Sequence, residues 1–261
     1  MSQHHSHPAS LETRDLTIRF GGHVAVNAVS CAFAPGTLTA IVGPNGAGKT
    51  TYFNLISGQL KPSAGQVLLG GRDISALPVA ARTHAGLGRA FQLTSLFPHL
   101  TVLENVRLVL QSRRHLGLDL WHVWSRHRDL IERAEQVLET VALTAKRDSP
   151  AAALPHGDQR KLEVGLLMAL DPDVFMFDEP TAGMSVDEVP VILDLIRQLK
   201  AHSGKTILLV EHKMDVVREL ADRIIVLHNG TLMADGEPER VIASPVVQQA
   251  YLGLAPVEEA A

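Results

Sequence analysis

The chain has little cysteine, little net charge and no long apolar run. Its 261 residues include a single cysteine, Cys31, which excludes an internal disulfide framework and is typical of a protein of the reducing cytosol. The formal net charge is −4 and no stretch is strongly basic, so the electrostatic footprint of a nucleic-acid-binding protein is missing. No run approaches the roughly 20 apolar residues that a membrane-spanning helix needs, and residues 1–10 lack the apolar core of a signal peptide. The sequence therefore predicts a cytosolic protein that contacts a membrane only through another subunit.

The composition is that of a globular protein, with 46% hydrophobic and 20% charged residues. We interpret the polar, histidine-rich residues 1–10 as a disordered leader rather than a metal site, and residues 254–261 as a flexible tail. The Arg/His-rich stretch 113–128 contains two tryptophans, which in principle can stack on nucleic acid. We interpret it instead as a solvated or partner-facing helical surface, and we expect no nucleic-acid partner.

The most informative segment is the glycine-rich run from Gly43 to Thr50, which follows the apolar residues 38–42. It fits the pattern G-x-x-x-x-G-K-[ST], in which a buried strand leads into a turn whose backbone N–H groups cradle phosphates. A helix beginning at Lys49 adds a favourable dipole, the lysine reaches the terminal phosphates, and Thr50 supplies a hydroxyl for Mg²⁺. The pattern is complete, so a glycine-rich turn without a phosphate is the weaker interpretation, and the sequence predicts binding of a nucleoside triphosphate. The nucleotide-binding residues expected here are Gly43, Asn45, Gly46, Ala47, Gly48, Lys49, Thr50 and Thr51.

Strand and helix patterns surround this loop. Alternating apolar residues between Leu11 and Leu69 predict strands, with a hairpin at Gly70-Gly71. Helical spacing predicts an α-helical insert over about 93–160. Near-continuous apolar runs predict parallel strands buried on both faces, at Val174–Phe177, Thr206–Val210 and Arg223–Leu227. The expected fold class is α/β, with a parallel-sheet core, an antiparallel β subdomain and an α-helical insert, over residues 11–253.

Two helix boundaries are also predicted. Ser185 and Glu188 fit a capping box, so we expect a helix from Ser185. A hairpin at Asn229-Gly230 and one helix near Glu237 to Tyr251 are expected to close the fold.

Two adjacent carboxylates end the first buried run. Asp178, at the carboxyl end of the predicted strand, is placed to hold Mg²⁺, and Glu179 is placed to orient or deprotonate an attacking water. A strand that ends in acidic residues is weak evidence alone. In combination with the glycine-rich loop, the pair predicts hydrolysis of the triphosphate.

With these motifs the chain resembles the nucleotide-binding subunits of ABC transporters, which are P-loop NTPases with a RecA-like core. The resemblance covers nearly everything from Leu11 to Gly253. Several short motifs are similar to those of one group within the family, the subunits that energise branched-chain amino acid importers. These motifs are Arg19-Phe20-Gly21-Gly22, Phe91-Gln92, Leu96-Phe97-Pro98, Thr101-Val102-Leu103-Glu104-Asn105-Val106, Ala182-Gly183-Met184 and Glu211-His212-Lys213-Met214. The resemblance implies ATP and Mg²⁺ as ligands and a peripheral location on the cytoplasmic face of the inner membrane. It also implies transmembrane permease subunits, a second nucleotide-binding subunit and, indirectly, a periplasmic solute-binding protein as partners.

Roles of single residues follow from the same resemblance. Phe20 matches the aromatic residue that stacks on adenine, whereas without the resemblance it would be read as a buried strand residue. Gln92 matches the glutamine that senses Mg²⁺ and the attacking water and links to the permease. His212 matches the histidine that contacts the γ-phosphate and steadies Glu179. The implied catalytic residues are Glu179, His212 and Lys49, and the implied metal ligands are Thr50, Gln92 and Asp178.

The chain departs from the family at the signature sequence, where Leu-Ser-Gly-Gly-Gln is replaced by Leu-Pro-His-Gly-Asp. In the family this element contacts the partner subunit's ATP. Pro155 brings neither a hydroxyl nor an N–H, although His156 and Gly157 remain to bind phosphate. Asp158 would repel the phosphate if it turned inward. We therefore predict that the composite site using this signature is weakened, while the half-site around Lys49 is intact.

The expected function is that of an ATPase subunit of an importer for branched-chain or related amino acids. One alternative is that the same kind of ATPase subunit energises transport of urea, short amides or lipopolysaccharide. Another is a soluble or nucleic-acid-associated ATPase, although such proteins usually carry two nucleotide units or a long coiled coil. The last is a module that binds ATP only as a structural ligand, which the complete acidic and histidine set argues against. The sequence leaves open the solute, the direction of transport and whether the pair is homo- or heteromeric.

Overall fold

The structure is a computed structural model that describes residues 10–90, 96–113 and 128–252. Residues 1–9 of the predicted leader, the tail at 254–261, Gln92 and most of the tryptophan-containing stretch lie outside the described residues. Among the described helices, none combines the length and apolar character that crossing a membrane requires.

The described strands form two sheets. They are β1 (Leu11–Phe20), β2 (His23–Phe33), β3 (Leu38–Val42), β4 (Ala64–Leu69), β5 (Arg72–Asp73), β6 (Leu87–Ala90), β7 (Val174–Asp178), β8 (Thr206–Val210), β9 (Arg223–His228) and β10 (Thr231–Gly236). One sheet is antiparallel, in the order β2-β1-β4-β5. The other has the order β10-β9-β3-β8-β7-β6 and is parallel except for β10. The hairpins predicted at Gly70-Gly71 and Asn229-Gly230 are confirmed by the β4–β5 and β9–β10 pairs.

Helices cover the parallel sheet and form a separate layer beside it. They are α1 (Lys49–Ser57), α2 (Val79–His84), α3 (Val102–Arg113), α4 (Arg128–Thr140), α5 (His156–Leu170), α6 (Val189–Ser203), α7 (Met214–Leu220), α8 (Pro238–Ala243) and α9 (Pro245–Leu252). The apolar faces of α3, α4 and α5 meet in one core cluster, to which Val106, Leu138 and Leu162 belong. The same cluster includes Phe177 of β7, so this layer packs onto the sheet. Helix α5 continues to Leu170, past the limit of 160 predicted for the insert.

The centre of the parallel sheet is buried on both faces. Every residue of β3, β7 and β8 is buried. An alternating pattern would bury only one face, whereas these strands carry continuous apolar runs that suit helices on both sides. The predicted α/β architecture, with its parallel core, antiparallel sheet and helical insert, is confirmed.

The predicted start of α6 is wrong. The helix begins at Val189, and Ser185 lies in the preceding turn. Ser185 donates from both its N–H and its hydroxyl to Glu188 Oε2, at 3.1 and 2.9 Å. Half of a capping box is therefore present, because the glutamate reaches back but the serine hydroxyl donates to it instead of capping the helix. Pro190 in the first turn of α6 fits the start at Val189.

The single helix predicted near 237–251 is also wrong, because two helices occupy that segment. Ser244, between α8 and α9, has an extended backbone with φ −64° and ψ 124°. Pro245 explains this break, since the residue before a proline is disfavoured in the helical region.

Arg82 fastens the carboxyl end of α1, the helix that follows the glycine-rich loop. Its side chain is almost completely buried. Nη1 donates to the carbonyls of Leu55 and Ile56 at 2.7 and 2.6 Å, and Nη2 to that of Ser75 at 2.8 Å. Nε donates to the carbonyl of Leu77 at 3.0 Å. One guanidinium thus satisfies carbonyls that the end of a helix leaves without an intrahelical partner.

We expect Arg82→Met to lower the free energy of unfolding by about 2–4 kcal/mol, because several buried carbonyls lose a charged donor. Urea denaturation measures the change. Arg72→Met is the matched control, since Arg72 is exposed. Equal unfolding midpoints for the two variants would contradict the role given to Arg82.

Candidate nucleotide-binding site

Three neighbouring strands of the parallel sheet present their carboxyl ends at one edge. Strand β3 leads into the loop of residues 43–48, β7 ends at Asp178, and β8 ends at Val210, two residues before His212. Strand β8 pairs with both β3 and β7. Chain segments that are far apart in sequence therefore meet at this edge, where ligands of open α/β sheets bind.

The glycine-rich loop packs closely against the scaffold at two glycines. Gly43 has φ 152°, and a Cβ there would lie 2.2 Å from the carbonyl oxygen of Leu227. Gly48 has φ 95°, and its Cβ would lie 2.6 Å from the carbonyl oxygen of Ala25. Side chains at these positions would clash with backbone, so glycine is needed for the loop to curl between β2 and β9.

A cavity of about 390 Å³ lies over this loop. Its lining includes Lys49, Glu179 and His212, which the sequence assigned to one site. The other lining residues are His23, Ala25, Asn45, Gly46, Ala47, Gly48, Thr50 and Thr51. His23 and Ala25, on β2, were not predicted, because nothing in the sequence pattern links that strand to the loop.

Lys49 is buried at the start of α1 and points back into the loop. Its Nζ donates to the carbonyls of Gly43 and Pro44 at 2.7 and 2.9 Å. Burial lowers the pKa of Lys49, and the nearby carboxylates of Glu179 and Asp178 act in the opposite sense. The ammonium is thus held by backbone oxygens of the loop and lies close to both acidic residues. A phosphate bound in the loop would receive a charge-assisted hydrogen bond from it.

Glu179 and His212 are in direct contact across the cavity. The distance from His212 Nε2 to Glu179 Oε1 is 2.6 Å, and both side chains are about 40% exposed. Glu179 has φ 50°, a conformation that costs a non-glycine residue about 1–3 kcal/mol and is found at functional sites. A solvent-reachable carboxylate held by an imidazole is suited to orienting a water molecule or accepting its proton.

A second, buried contact ties the same two segments together. Glu211 Oε1 accepts a hydrogen bond from the hydroxyl of Thr181 at 2.6 Å. Glu211 Oε2 accepts from the backbone N–H groups of His212 and Lys213, at 2.7 and 3.1 Å. The Glu211 carboxylate therefore fixes the backbone that carries His212. The sequence offered one signal for it, a carboxylate directly before that histidine, but gave it no role.

Asp178 is buried, is not among the residues that line the cavity, and is paired with Arg89 of β6. Arg89 Nη2 lies 2.7 Å from Asp178 Oδ2, and the two side chains are 8% and 3% exposed. Burial raises the pKa of Asp178, and the Arg89 guanidinium acts in the opposite sense. Burial also lowers the pKa of Arg89, which Asp178 partly offsets. The pairing keeps a carboxylate in a buried position that would otherwise favour its neutral form.

The available donors fit Mg²⁺ only together with phosphates. The residues that the structure describes contain no group of three or more His, Cys, Asp or Glu side chains arranged for a metal. Mg²⁺ in nucleotide sites is bound through one or two carboxylates plus phosphate oxygens and water, so such a group is not required. Asp178 offers one carboxylate and Thr50 a hydroxyl, which is the donor set of such a site.

Phe20 lies at the end of β1, paired with His23, which lines the cavity. Its side chain is 51% exposed, so the alternative of a buried strand residue is wrong. An exposed aromatic ring on a residue paired with one that lines the cavity is available for stacking on a base.

We expect Phe20→Ala to weaken ATP binding about 10- to 100-fold, since stacking of a base on an aromatic ring contributes about 1–3 kcal/mol. Fluorescence titration with a labelled ATP measures the affinity. The melting temperature should change little because the ring is exposed. A variant that melts lower but binds ATP as tightly as the wild type would show that the ring serves the fold.

The residues of the altered signature lie at the start of α5, away from the lining of this cavity. Pro155 is the N-cap residue, with φ −56°, and His156 and Gly157 begin the helix. The His156 ring lies close to Gly183, where a Cβ would be 3.5 Å from His156 Cε1. The structure therefore does not bring His156 and Gly157 together with Lys49 within one chain.

Two carboxylates stand near the start of α5. Asp158 bonds to Lys146 and Lys161. Burial acts to raise the pKa of Asp158, but the hydrogen bonds from the two lysines outweigh it and the pKa is lowered. Glu188 lies against Gly157, where a Cβ would be 2.0 Å from Glu188 Oε1. Asp158 is thus neutralised within the chain, whereas Glu188 places negative charge beside the signature glycine.

Comparison with known proteins agrees with this geometry. The ABC transporter family matches residues 26–182. LivG of Escherichia coli K12, a high-affinity branched-chain amino acid transport ATP-binding protein, is 38% identical over 248 residues, which cover 93% of this chain and 97% of LivG. BraF of Pseudomonas aeruginosa, with the same description, is 38% identical over 250 residues, with 93% and 97% coverage.

Solved structures show the same likeness. The ADP conformation of MJ1267, an ATP-binding cassette of an ABC transporter, aligns with a TM-score of 0.80 and 30% identity, covering 94% of this chain and 99% of that one. The glycine-rich loop, the acidic end of β7 and the histidine after β8 thus lie in a fold shared with ATP-binding cassettes, and the chain belongs to the ABC transporter family.

Proposed function

We propose that this chain is the ATP-hydrolysing subunit of an importer for branched-chain amino acids. The observation that carries the proposal is the convergence of Lys49, Glu179 and His212 on one cavity over a phosphate-binding loop. The proposal for the solute rests on the likeness to LivG and BraF. Solute choice depends on the permease and the solute-binding protein, so it requires a transport experiment.

Each of the three side chains has a role that its chemistry suits. The Lys49 ammonium and the loop N–H groups bind the β- and γ-phosphates. Glu179 orients the attacking water and accepts its proton, while His212 holds the carboxylate in place through the 2.6 Å contact. Thr50 and Asp178 would hold Mg²⁺, which would supply positive charge close to the phosphates.

ATP is proposed to join this chain to a second nucleotide-binding subunit. The chain supplies the glycine-rich loop and the carboxylates of Asp178 and Glu179 to one composite site, and its partner supplies the signature sequence. In the other composite site this chain contributes Pro155, His156 and Gly157, with the Glu188 carboxylate beside the glycine. Because a carboxylate repels phosphate and the proline lacks a donor, we propose that this second site hydrolyses ATP weakly. A different partner with an intact signature suits this asymmetry.

The permease is proposed to dock at a cleft between the helical layer and the sheet edge. The cleft has a volume of about 350 Å³ and is lined by residues of α2, β6, α3 and α5, among them Val79, Val109 and Leu166. The next residues after β6 are 91–95, which include Gln92. When the two nucleotide-binding subunits close around ATP, this surface would move. The movement would change the conformation of the permease, which contacts the chain at the cytoplasmic face of the membrane.

The test is reconstitution of the chain with its permease and second nucleotide-binding subunit in proteoliposomes. We expect ATP-dependent uptake of radiolabelled leucine in the presence of the solute-binding protein, and loss of uptake with Lys49→Ala. Urea, short amides and lipopolysaccharide are tested in parallel. ATP-dependent movement of one of these without leucine uptake would overturn the assignment of the solute, and hydrolysis without any transport would overturn the proposed function.

A further inference from the structure

Arg89 connects the buried Asp178 carboxylate to the helix that begins at Lys49. On one side its Nη2 lies 2.7 Å from Asp178 Oδ2. On the other side its Nη1 donates to Asn54 Oδ1 at 2.6 Å and to Ser57 Oγ at 2.7 Å, both on α1. The guanidinium is thus shared between the end of β7 and the helix that follows the glycine-rich loop.

Two further contacts hold the guanidinium in place. Nη1 also donates to Gln59 Oε1 at 2.9 Å, and Cζ lies 4.8 Å from the centre of the Phe53 ring, in a cation–π arrangement. The side chain is only 8% exposed. A planar donor with this many partners in a buried position has little freedom to move, and it passes that rigidity to the carboxylate it binds.

The pairing leaves the two oxygens of Asp178 unequal. Oδ2 accepts the bond from Arg89, so the orientation of the carboxylate about its Cβ is fixed. Groups that hydrogen-bond to a ligating carboxylate set its direction and are worth about 10- to 100-fold in metal affinity. Asp178 and Thr50 lie on different elements, and Arg89 bonds both to Asp178 and to α1, which contains Thr50.

We propose that Arg89 is a positioning residue that holds Asp178 in register with Thr50 for the metal of the nucleotide site. This rests on the proposed function only in assuming that Asp178 binds the nucleotide's metal. Arg89 also lines the cleft proposed for the permease, so the side chain that holds Asp178 is reached from that cleft. This role was not predicted from the sequence, because Arg89 lies 89 positions before Asp178 in the chain.

The test uses the full-length chain and Mn²⁺, whose free and bound forms are separated by electron paramagnetic resonance. We expect Arg89→Met to raise the Mn²⁺ dissociation constant in the presence of ADP about 10- to 100-fold. Affinity for ADP without metal should stay within about twofold of wild type, because the loop and Lys49 are unchanged. Arg89→Lys keeps the charge, but a lysine cannot contact both Asp178 and α1. We therefore expect its Mn²⁺ dissociation constant to lie between those of the wild type and Arg89→Met.

Two controls separate positioning from a loss of folding. Arg107→Met removes another buried arginine, one that donates to Gln111 on α3, and should leave Mn²⁺ affinity unchanged. In an Asp178→Asn background, Arg89→Met should have no further effect on Mn²⁺ affinity, because it acts through the carboxylate. Unchanged Mn²⁺ affinity in a folded Arg89→Met protein would overturn the proposal, as would an equal loss in the Asp178→Asn background.

Failure of this proposal is distinguishable from failure of the proposed function. If Arg89→Met binds Mn²⁺ normally while Lys49→Ala abolishes hydrolysis, the positioning role is wrong and the ATPase assignment stands. If the wild-type chain binds no Mn²⁺ with ADP, the metal role of Asp178 is wrong as well. If Arg89→Met does not fold, the Mn²⁺ affinity of Arg89→Lys is compared with that of the wild type instead. Normal Mn²⁺ affinity in Arg89→Lys would overturn the proposal.

Discussion

Lys49→Ala is expected to lower ATP hydrolysis by the assembled complex at least about 10²- to 10³-fold, the loss typical of removing one electrostatic contact to the developing charge. Lys49 is the ammonium group among the residues that line the loop cavity. Its Nζ is held at the carbonyls of Gly43 and Pro44, so a phosphate in the loop is met by a positioned charge. We expect ATP affinity to fall as well, measured by fluorescence titration beside steady-state hydrolysis.

Lys61→Ala is the matched control for this change. Lys61 is exposed and lies beyond the end of α1, so its loss should leave both binding and hydrolysis unchanged. The melting temperature of the Lys49→Ala protein is measured beside the affinity, because the carbonyls of Gly43 and Pro44 lose their donor in this variant. ATP affinity within twofold of wild type in a folded Lys49→Ala protein would show that the loop does not bind the triphosphate.

Glu179→Gln is expected to lower hydrolysis about 10²- to 10⁴-fold, the usual contribution of a general base, while ATP binding persists. The amide has nearly the same shape as the carboxylate and keeps an oxygen for the contact with His212, but it cannot accept a proton. Since binding survives and turnover does not, the ATP-bound pair of nucleotide-binding subunits should accumulate. Size-exclusion chromatography with Mg²⁺-ATP measures that accumulation.

Glu239→Gln controls for the loss of one negative charge. Glu239 is exposed in the first turn of α8, and its replacement should change neither hydrolysis nor the size of the complex. Two results would remove Glu179 from the proposed chemistry: normal turnover in Glu179→Gln, or loss of ATP binding in it. The second would mean that Glu179 serves to hold the substrate and not to activate water.

The sequence predicts the half-site well because its parts are local. The residues from Gly43 to Thr50 are contiguous, so the loop can be recognised from one short stretch with its adjacent strand and helix. Asp178 and Glu179 follow a continuous apolar run, and such a run identifies a strand buried on both faces. Once parallel strands are inferred, their carboxyl ends must share one edge, so loop and carboxylates are placed together.

Contacts between distant segments are what the sequence does not reveal. Arg89 pairs with Asp178 across 89 residues, and Thr181 with Glu211 across 30. Neither pair has a local spacing that marks it, because the partners meet only when β6, β7 and β8 align. The approach of Glu188 to Gly157 is of the same kind and depends on where α5 packs against the turn before α6.

Two predicted helix boundaries are wrong for a different reason. In each case one local sequence rule favours a boundary that a nearby proline overrides. Ser185 and Glu188 fit a capping box, but Pro190 suits a start one turn later and its position decided the helix boundary. The apolar spacing after Glu237 continues through Pro245, yet that proline ends one helix and begins another. In both cases proline geometry outweighed the pattern of polar and apolar residues.

The central claim is that this chain supplies the phosphate loop, lysine and water-activating carboxylate of an ATP site completed by a partner subunit. The most direct measurement is a cryo-electron microscopy structure of the assembled Glu179→Gln complex with Mg²⁺-ATP. We predict the triphosphate in the loop of residues 43–50, with the γ-phosphate facing both Lys49 and the partner's signature helix. A triphosphate bound elsewhere, or held in this loop with no partner group at the γ-phosphate, would contradict the account.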